Sequence, residues 1–320
     1  MKKQYLIPVL LILNILFSCQ KKTSEINYLP SKNDNYIGEN IKFKLPSGDI
    51  IAGTLTYPKY FSQKLPAVIL ITGNSAHDRD NSKPYRSINS YRPFRQIAEK
   101  LSSNGVAVLR LDDRGIGKSS GGNINNMTTI ERANDIKQGI KYLKKRNEID
   151  SLKIGLIGLS EGASIAHIIA SKDESIKILV LLSGIGSKGK EIIEYQIKNG
   201  ILNGAELKTL LSSDKNLKYL YTFDPLKTVS LIKSPVLIIN GKLDKRVPYT
   251  DAYKLSNAIK ANGNTNVEVK ILPEYNHLLL KVSSDGVETK YGKISSNKIP
   301  KEVLEIISYW VIKNLKLKVA

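Results

Sequence analysis

Cysteine occurs once in this 320-residue chain, at Cys19, and histidine only three times, at His77, His167 and His277. A single thiol excludes an internal disulfide framework and any zinc site built on several thiolates. Acidic residues are also short in number: 29 Asp and Glu stand against 49 Lys and Arg, a formal charge of +20. Such a balance invites nucleic acid, anionic lipid or acidic substrates as partners. Nucleic acid is not expected, because the lysines are scattered, arginine is sparse and no basic motif is interleaved with aromatics. A phosphate-cradling loop is missing as well. The run Asp113-Arg114-Gly115-Ile116-Gly117-Lys118-Ser119 has neither of the glycine spacings that nucleotide loops require. No internal repeat or low-complexity block occurs. What remains is ordinary globular usage, 41% hydrophobic and 24% charged, which excludes disorder and suffices for a sizeable core.

The chain opens Met1-Lys2-Lys3, continues through an apolar run from Tyr5 to Phe17 broken by Asn14, and reaches Leu16-Phe17-Ser18-Cys19. A charged start, an apolar middle and a small residue before the cut fit a secretory signal over residues 1–18, too short for a comfortable membrane span. Leu16 and Ser18 ahead of Cys19 resemble the lipobox of bacterial lipoproteins, with Phe17 a less usual middle residue. The resemblance implies that Cys19 is acylated and becomes the new N-terminus of an exported protein anchored to a bacterial membrane. Several acyl chains, at roughly 0.8 kcal/mol per buried methylene, hold such an anchor stably. A plain signal peptide or single-span anchor with an incidental cysteine is the alternative. Residues 19–40 are polar and read as a flexible tether.

From residue 41 the patterning is that of a folded domain running to 320. Ile41 to Leu45 and Ile50 to Tyr57 alternate apolar and polar around the turn Pro46-Ser47-Gly48-Asp49, which predicts a β-hairpin. Then come short apolar runs: Ala67 to Ile71, Val106 to Leu109, Ile154 to Ile157, Ile178 to Leu182, Val236 to Ile239 and Val267 to Leu272. Strands buried on both faces look like this. Helical spacing fills Tyr91 to Ser103, Thr128 to Lys145, Gly162 to Ala170, Thr250 to Ala261 and Lys301 to Leu317. The alternation predicts an α/β class, a doubly wound, mostly parallel sheet with helices on both faces. Between about 184 and 233 the pattern lapses into helices, Glu191 to Lys198 and Ala205 to Leu220, which predicts a short cap over the sheet's C-terminal edge.

The strand Ile154 to Ile157 runs into Gly158-Leu159-Ser160-Glu161-Gly162 and a helix follows, the strand–turn–helix context of a nucleophile elbow. A sharp turn there lifts the hydroxyl of Ser160 above the sheet, and the N–H of Glu161 at the helix start faces a developing oxyanion. A serine needs a base. His167 lies along the following helix and His77 precedes the nucleophile, whereas His277 follows the strand Val267 to Leu272 at the same edge as Ser160. The acid is expected between the two, at Asp244 after the strand Val236 to Ile239; Asp251 and Asp224 are worse placed. The second oxyanion donor is expected in the loop Thr72 to Asp80, at the N–H of Asn74 with Ser75 as the near alternative. Asp78, Arg79 and Asp80 form either an ion cluster that shapes this loop or simply a solvated stretch.

These marks, together with Asp113-Arg114-Gly115-x-Gly117-x-Ser119 and Pro235 to Ile238 leading to Asp244, resemble the α/β-hydrolase superfamily over about Ile41 to Leu317. The similarity is to its bacterial serine esterase and acyl-hydrolase branch, related to the serine aminopeptidase and prolyl oligopeptidase catalytic domains. It implies the α/β-hydrolase fold, a triad of Ser160, Asp244 and His277, and neither metal nor organic cofactor. Thr72 and Leu159 stand where relatives often carry histidine, which alters the pocket wall. The expected activity is a carboxylic-ester hydrolase acting on a small-molecule, glycan or lipid ester. A peptidase using the same triad on an amide is the alternative, although the chain shows no propeller and no glutamate clamp beyond Glu161. A non-catalytic lipoprotein that uses the fold to bind a glycan or partner is the third.

Overall fold

The computed structural model describes residues 28–31, 34–82, 91–122, 126–282 and 298–315; the expected signal over 1–18 and Cys19 lie outside them. Aliphatic runs without alternation must be covered on both faces, and β3 (Leu65–Ile71) is buried at every position. Its side chains divide by parity, Ala67, Ile69 and Ile71 into one core and Val68 and Leu70 into the other. The sheet has eight strands in the order β1-β2-β4-β3-β5-β6-β7-β8, the others being β1 (Tyr36–Lys44), β2 (Ile50–Pro58), β4 (Ala107–Leu111), β5 (Ile149–Leu159), β6 (Ile176–Leu182), β7 (Val236–Gly241) and β8 (Val267–Leu272). The hairpin β1–β2 is antiparallel and joins antiparallel to β4, and the remaining six strands are parallel.

Helices cover both faces. The first core is closed by α2 (Thr129–Lys144), α3 (Glu161–Ala170) and α8 (Thr250–Ala261), through residues such as Ile140, Ile165 and Leu255. On the opposite face α1 (Pro93–Ser102) and α9 (Lys301–Asn314) contribute Phe94, Leu101, Ile307 and Trp310. The winding reverses between β3 and β5, so the C-terminal ends of these adjacent strands border the crevice where open α/β sheets place their sites.

Two expectations are corrected. The first strand begins at Tyr36 rather than after residue 40, because pairing with β2 continues outward to Tyr36 opposite Pro58. Tyr28, within the expected tether, lays its ring 4.4 Å from the guanidinium carbon of Arg79. The region after β6 is helical as expected, with α4 (Gly189–Lys198), a 3₁₀ turn at Gly204–Glu206, α5 (Leu207–Ser213), α6 (Lys215–Thr222) and α7 (Pro225–Val229). The single helix expected over Ala205 to Leu220 is instead broken at Asp214, whose backbone is extended (ψ 107°) and whose carboxylate accepts from Leu217 N at 2.8 Å. An aspartate that caps a new helix competes with continuation of the old one.

Candidate active site

Ser160 stands between the end of β5 and the start of α3 with φ 57° and ψ −119°, a conformation costly for any residue bearing a Cβ. The turn is held by Ser160 N donating to Leu182 O at 2.8 Å and Ala163 N donating to Ser160 O at 3.0 Å. Sterics explain the flanking glycines. A Cβ at Gly158 would lie 2.2 Å from Gly162 O, and one at Gly162 would lie 2.2 Å from Ile71 O, so helix and strand approach too closely for any other residue. Ser160 itself is partly exposed.

The turns after β7 and β8 bring Asp244 and His277 together: His277 Nδ1 lies 2.8 Å from Asp244 Oδ2, both residues being buried. With the Nδ1 proton facing the carboxylate, Nε2 carries the lone pair that accepts a proton. Asp244 Oδ1 accepts from the backbone N–H groups of Arg246 at 2.8 Å and Val247 at 2.9 Å. Ser183 Oγ donates to His277 O at 2.9 Å. From the inserted helices, Tyr195 donates its hydroxyl to Asp244 O at 2.8 Å and Gln196 Nε2 donates to Arg246 O at 3.1 Å, so α4 steadies the Asp244 loop.

On the other flank, β3 delivers Gly73 and Asn74 against Ser160. A Cβ on Gly73 would lie 3.3 Å from Ser160 Cβ and 3.9 Å from Ser160 Oγ. The Ser75 N–H is engaged by Asn74 Oδ1 at 2.7 Å, whereas Asn74 N–H has no acceptor among the described residues. His77 Nε2 sits 2.5 Å from Asn74 O and pins the loop. The N–H of Glu161 opens α3, where helix geometry supplies no internal acceptor. Beneath both peptides lies Arg132, buried in α2, with Nη2 on Gly73 O at 2.8 Å and on Thr72 Oγ1 at 3.1 Å, and Nη1 3.2 Å from Glu161 Oε2. Thr72 in turn donates to Asp113 Oδ1 at 3.1 Å. Burial pushes the Asp113 carboxyl up to about 6, against the opposing pull of Arg132.

Asp78, Arg79 and Asp80 form the ion cluster rather than a solvated stretch. Arg79 grips Asp112 through Nε at 3.0 Å and Nη2 at 2.6 Å, and donates to Gly53 O at 2.6 Å. Arg110 pairs with Asp80 in the buried interior, and Asp78 accepts from the N–H groups of Asp80 and Ser82. The loop after β4 is structural too: Ala52 N donates to Ser119 Oγ at 2.9 Å, and Ser119 Oγ donates to Asp112 O at 2.9 Å. His167 is a core histidine, 2.9 Å from Thr228 Oγ1 through Nδ1 and stacked on Phe223, and burial lowers its pKa to about 3. Asp251 caps Gly186 N and Ser187 N, while Asp224 caps α7 through Leu226 N.

Three residues at this site went unnoticed in the sequence. Arg132 occupies the same helical stripe as the buried Ala133, Ile140 and Leu143, and a lone cation on an apolar stripe was the available signal. Asn216 of α6 donates to Glu161 Oε1 at 3.0 Å and accepts from Thr129 N at 2.8 Å, and Tyr195 reaches Asp244 from α4. Neither carries a local signature.

Comparison with known proteins agrees with this architecture. Among curated proteins, the acylamino-acid-releasing enzyme of Rattus norvegicus is 22% identical over 193 residues, 58% of this chain; the match spans about a quarter (26%) of that enzyme's length. Among solved structures, an esterase of Pyrococcus furiosus superposes with a TM-score of 0.62 at 20% identity, covering 89% of this chain and 92% of the esterase. An α/β-hydrolase of Penicillium superposes with a TM-score of 0.60 at 17% identity, covering 88% and 99% of the two chains, so the fold is that of the α/β-hydrolases. The sequence profile of the prolyl oligopeptidase family matches residues 92–293, well over half of the chain, and the protein belongs to that family.

Proposed function

We propose that the protein is a serine hydrolase that cleaves carboxylic esters. Ser160 Oγ attacks the acyl carbon while His277 Nε2 takes its proton, and the N–H groups of Glu161 and Asn74 hold the oxyanion. The tetrahedral intermediate collapses as His277 returns the proton to the departing alcohol, leaving an acyl ester on Ser160. Water, deprotonated by His277, then attacks that ester and frees the acid. Asp244 orients the imidazole and stabilises its protonated form.

The observation that carries this reading is the 2.8 Å Asp244–His277 hydrogen bond at the sheet edge that also bears Ser160 in its strained turn. Esters are preferred over amides because the chain covers nearly the whole of a solved esterase but only about a quarter of an acylamino-acid-releasing enzyme. The alcohol portion is a small molecule, a glycan or a lipid. Residues 1–18 export the chain in this reading, and Cys19 carries the lipid that holds it on a bacterial membrane.

A panel of acetylated glycans, nitrophenyl esters and peptide amides, assayed with the full chain in detergent, tests the reading. Ester turnover that outpaces amide turnover supports it, and the reverse assigns a peptidase. Fluorophosphonate labelling that survives Ser160→Ala would remove the nucleophile assignment. Radiolabelled palmitate incorporated into wild type and absent from Cys19→Ala tests the anchor separately.

A further inference from the structure

We propose that Arg132 is a positioning residue that sets both oxyanion donors at once, one arm of its guanidinium holding the Gly73–Asn74 peptide and the other the Glu161 carboxylate. The proposal rests on the serine-hydrolase reading above.

The carbonyl of Gly73 and the N–H of Asn74 are opposite ends of one planar trans peptide. A donor fixed on the carbonyl therefore directs the N–H the other way. Arg132 Nη2 supplies that donor at 2.8 Å, and the same Gly73 packs against the side chain of Ser160. The second arm, Nη1, lies 3.2 Å from Glu161 Oε2. Glu161 Oε1 is held by Thr129 Oγ1 at 2.7 Å and by Asn216 Nδ2 at 3.0 Å. The first residue of α3 is thus fixed by its side chain from three directions, and its backbone N–H with it.

Arg132 is 5% exposed, and its charge is balanced by Glu161 and by Asp113, 3.6 Å from Nη2. No interaction of the acid and base requires it: Asp244 and His277 are held by turns after β7 and β8 and by α4. Its partners are all on the oxyanion side of Ser160. A guanidinium suits the task because its planar fork hydrogen-bonds the Gly73 carbonyl with one arm and pairs its charge with the Glu161 carboxylate through the other, whereas a lysine ammonium is a single point charge on a flexible stem.

Arg132→Lys in the full chain tests this, since it retains the buried positive charge and loses the fork. The expected result is a fall in kcat on a nitrophenyl ester of about 10²-fold, the order of magnitude for one lost oxyanion donor, with KM changed by less than about threefold. Affinity for an alkyl boronic acid, whose tetrahedral adduct with Ser160 places an oxygen where the oxyanion forms, falls in parallel with kcat/KM. Affinity for an unreactive ether isostere of the ester stays at the wild-type value. A folded Arg132→Lys variant with wild-type kcat and boronate affinity, or one that loses ether and boronate binding equally, overturns the proposal. Should that variant not fold, Glu161→Gln removes the second arm while keeping side-chain size, and the same boronate-against-ether comparison decides. A wild-type protein that neither turns over esters nor binds the boronate overturns the serine-hydrolase reading itself, an outcome distinct from either variant result.

Discussion

The two flanks of Ser160 are held by different kinds of interaction. On the His277 side the partners of the Asp244 carboxylate, beyond the imidazole, are amides: the backbone N–H groups of Arg246 and Val247 and, at 3.4 Å, Asn240 Nδ2. On the Asn74 side the loop rests on buried ion pairs, Arg132 with Glu161, Arg79 with Asp112 and Arg110 with Asp80. The difference fits what each flank has to do in the proposed mechanism. A base must gain and lose a proton in every turnover, and fixed cations beside it would oppose the protonated state. Oxyanion donors only have to stand still, and a buried pair that is severely destabilised by losing one partner holds its geometry well, although assembling it costs desolvation.

The sharpest way to break this contrast is at the centre. Ser160→Ala is expected to reduce ester turnover on the order of 10⁶-fold, as loss of a triad nucleophile does in other serine hydrolases, with unchanged urea denaturation. On the His277 flank, Asp244→Asn removes the carboxylate while keeping its shape, and kcat should fall about 10⁴-fold with little change in KM. On the Asn74 flank, at the ion pairs that do not touch the oxyanion donors, the penalty should appear in stability instead. Arg79→Met strands the buried carboxylate of Asp112 and is expected to cost about 3–5 kcal/mol in urea unfolding, with normal kcat for the fraction that remains folded.

Acidity should separate the regions by sign. His167, which burial holds at about 3, contributes stability in full above its ordinary value near 6.5 and loses it as pH falls toward 3. Asp113, raised to about 6, does the opposite: its contribution is full below about 3.8 and is lost as pH rises through 6. Between pH 4 and 7, melting temperatures of His167→Gln should therefore gain less with rising pH than wild type, and those of Asp113→Asn should gain more. Equal slopes would remove the distinction. The smallest effect is expected at Tyr195→Phe, which deletes one hydrogen bond to Asp244 O and should cost about 1 kcal/mol, read as a lower melting temperature with kcat nearly intact.

Much of this was legible in the chain. The six apolar runs became the six parallel strands: the five unbroken ones because burial on both faces is a demand each strand places on its own residues, whereas β8, at the sheet edge, carries Glu268 and Lys270 and is only half-buried. That Asp244 and His277 lie side by side is legible because each follows a strand of this set, and parallel strands deliver their C-terminal ends to one edge. The sequence predicts one long cap helix because apolar spacing continues across Asp214, whereas the capping preference of that one side chain ends the helix. Tyr28 reads as tether in the sequence because its partner, the guanidinium of Arg79 over its ring, lies fifty-one residues further on.

By itself the sequence determined the turn at Ser160, whose glycines answer to steric contacts within a few residues of chain and one neighbouring strand. It determined the layering of the domain too, since hydrophobic period is local. Only the tertiary structure decided which carboxylate each buried arginine meets. Arg132 draws its partners from β3's loop, from β4's loop and from the start of α3. A guanidinium can pair with any acid that folding carries to it, and no feature of spacing along the chain distinguishes Glu161 or Asp113 from the other carboxylates that could have filled that role.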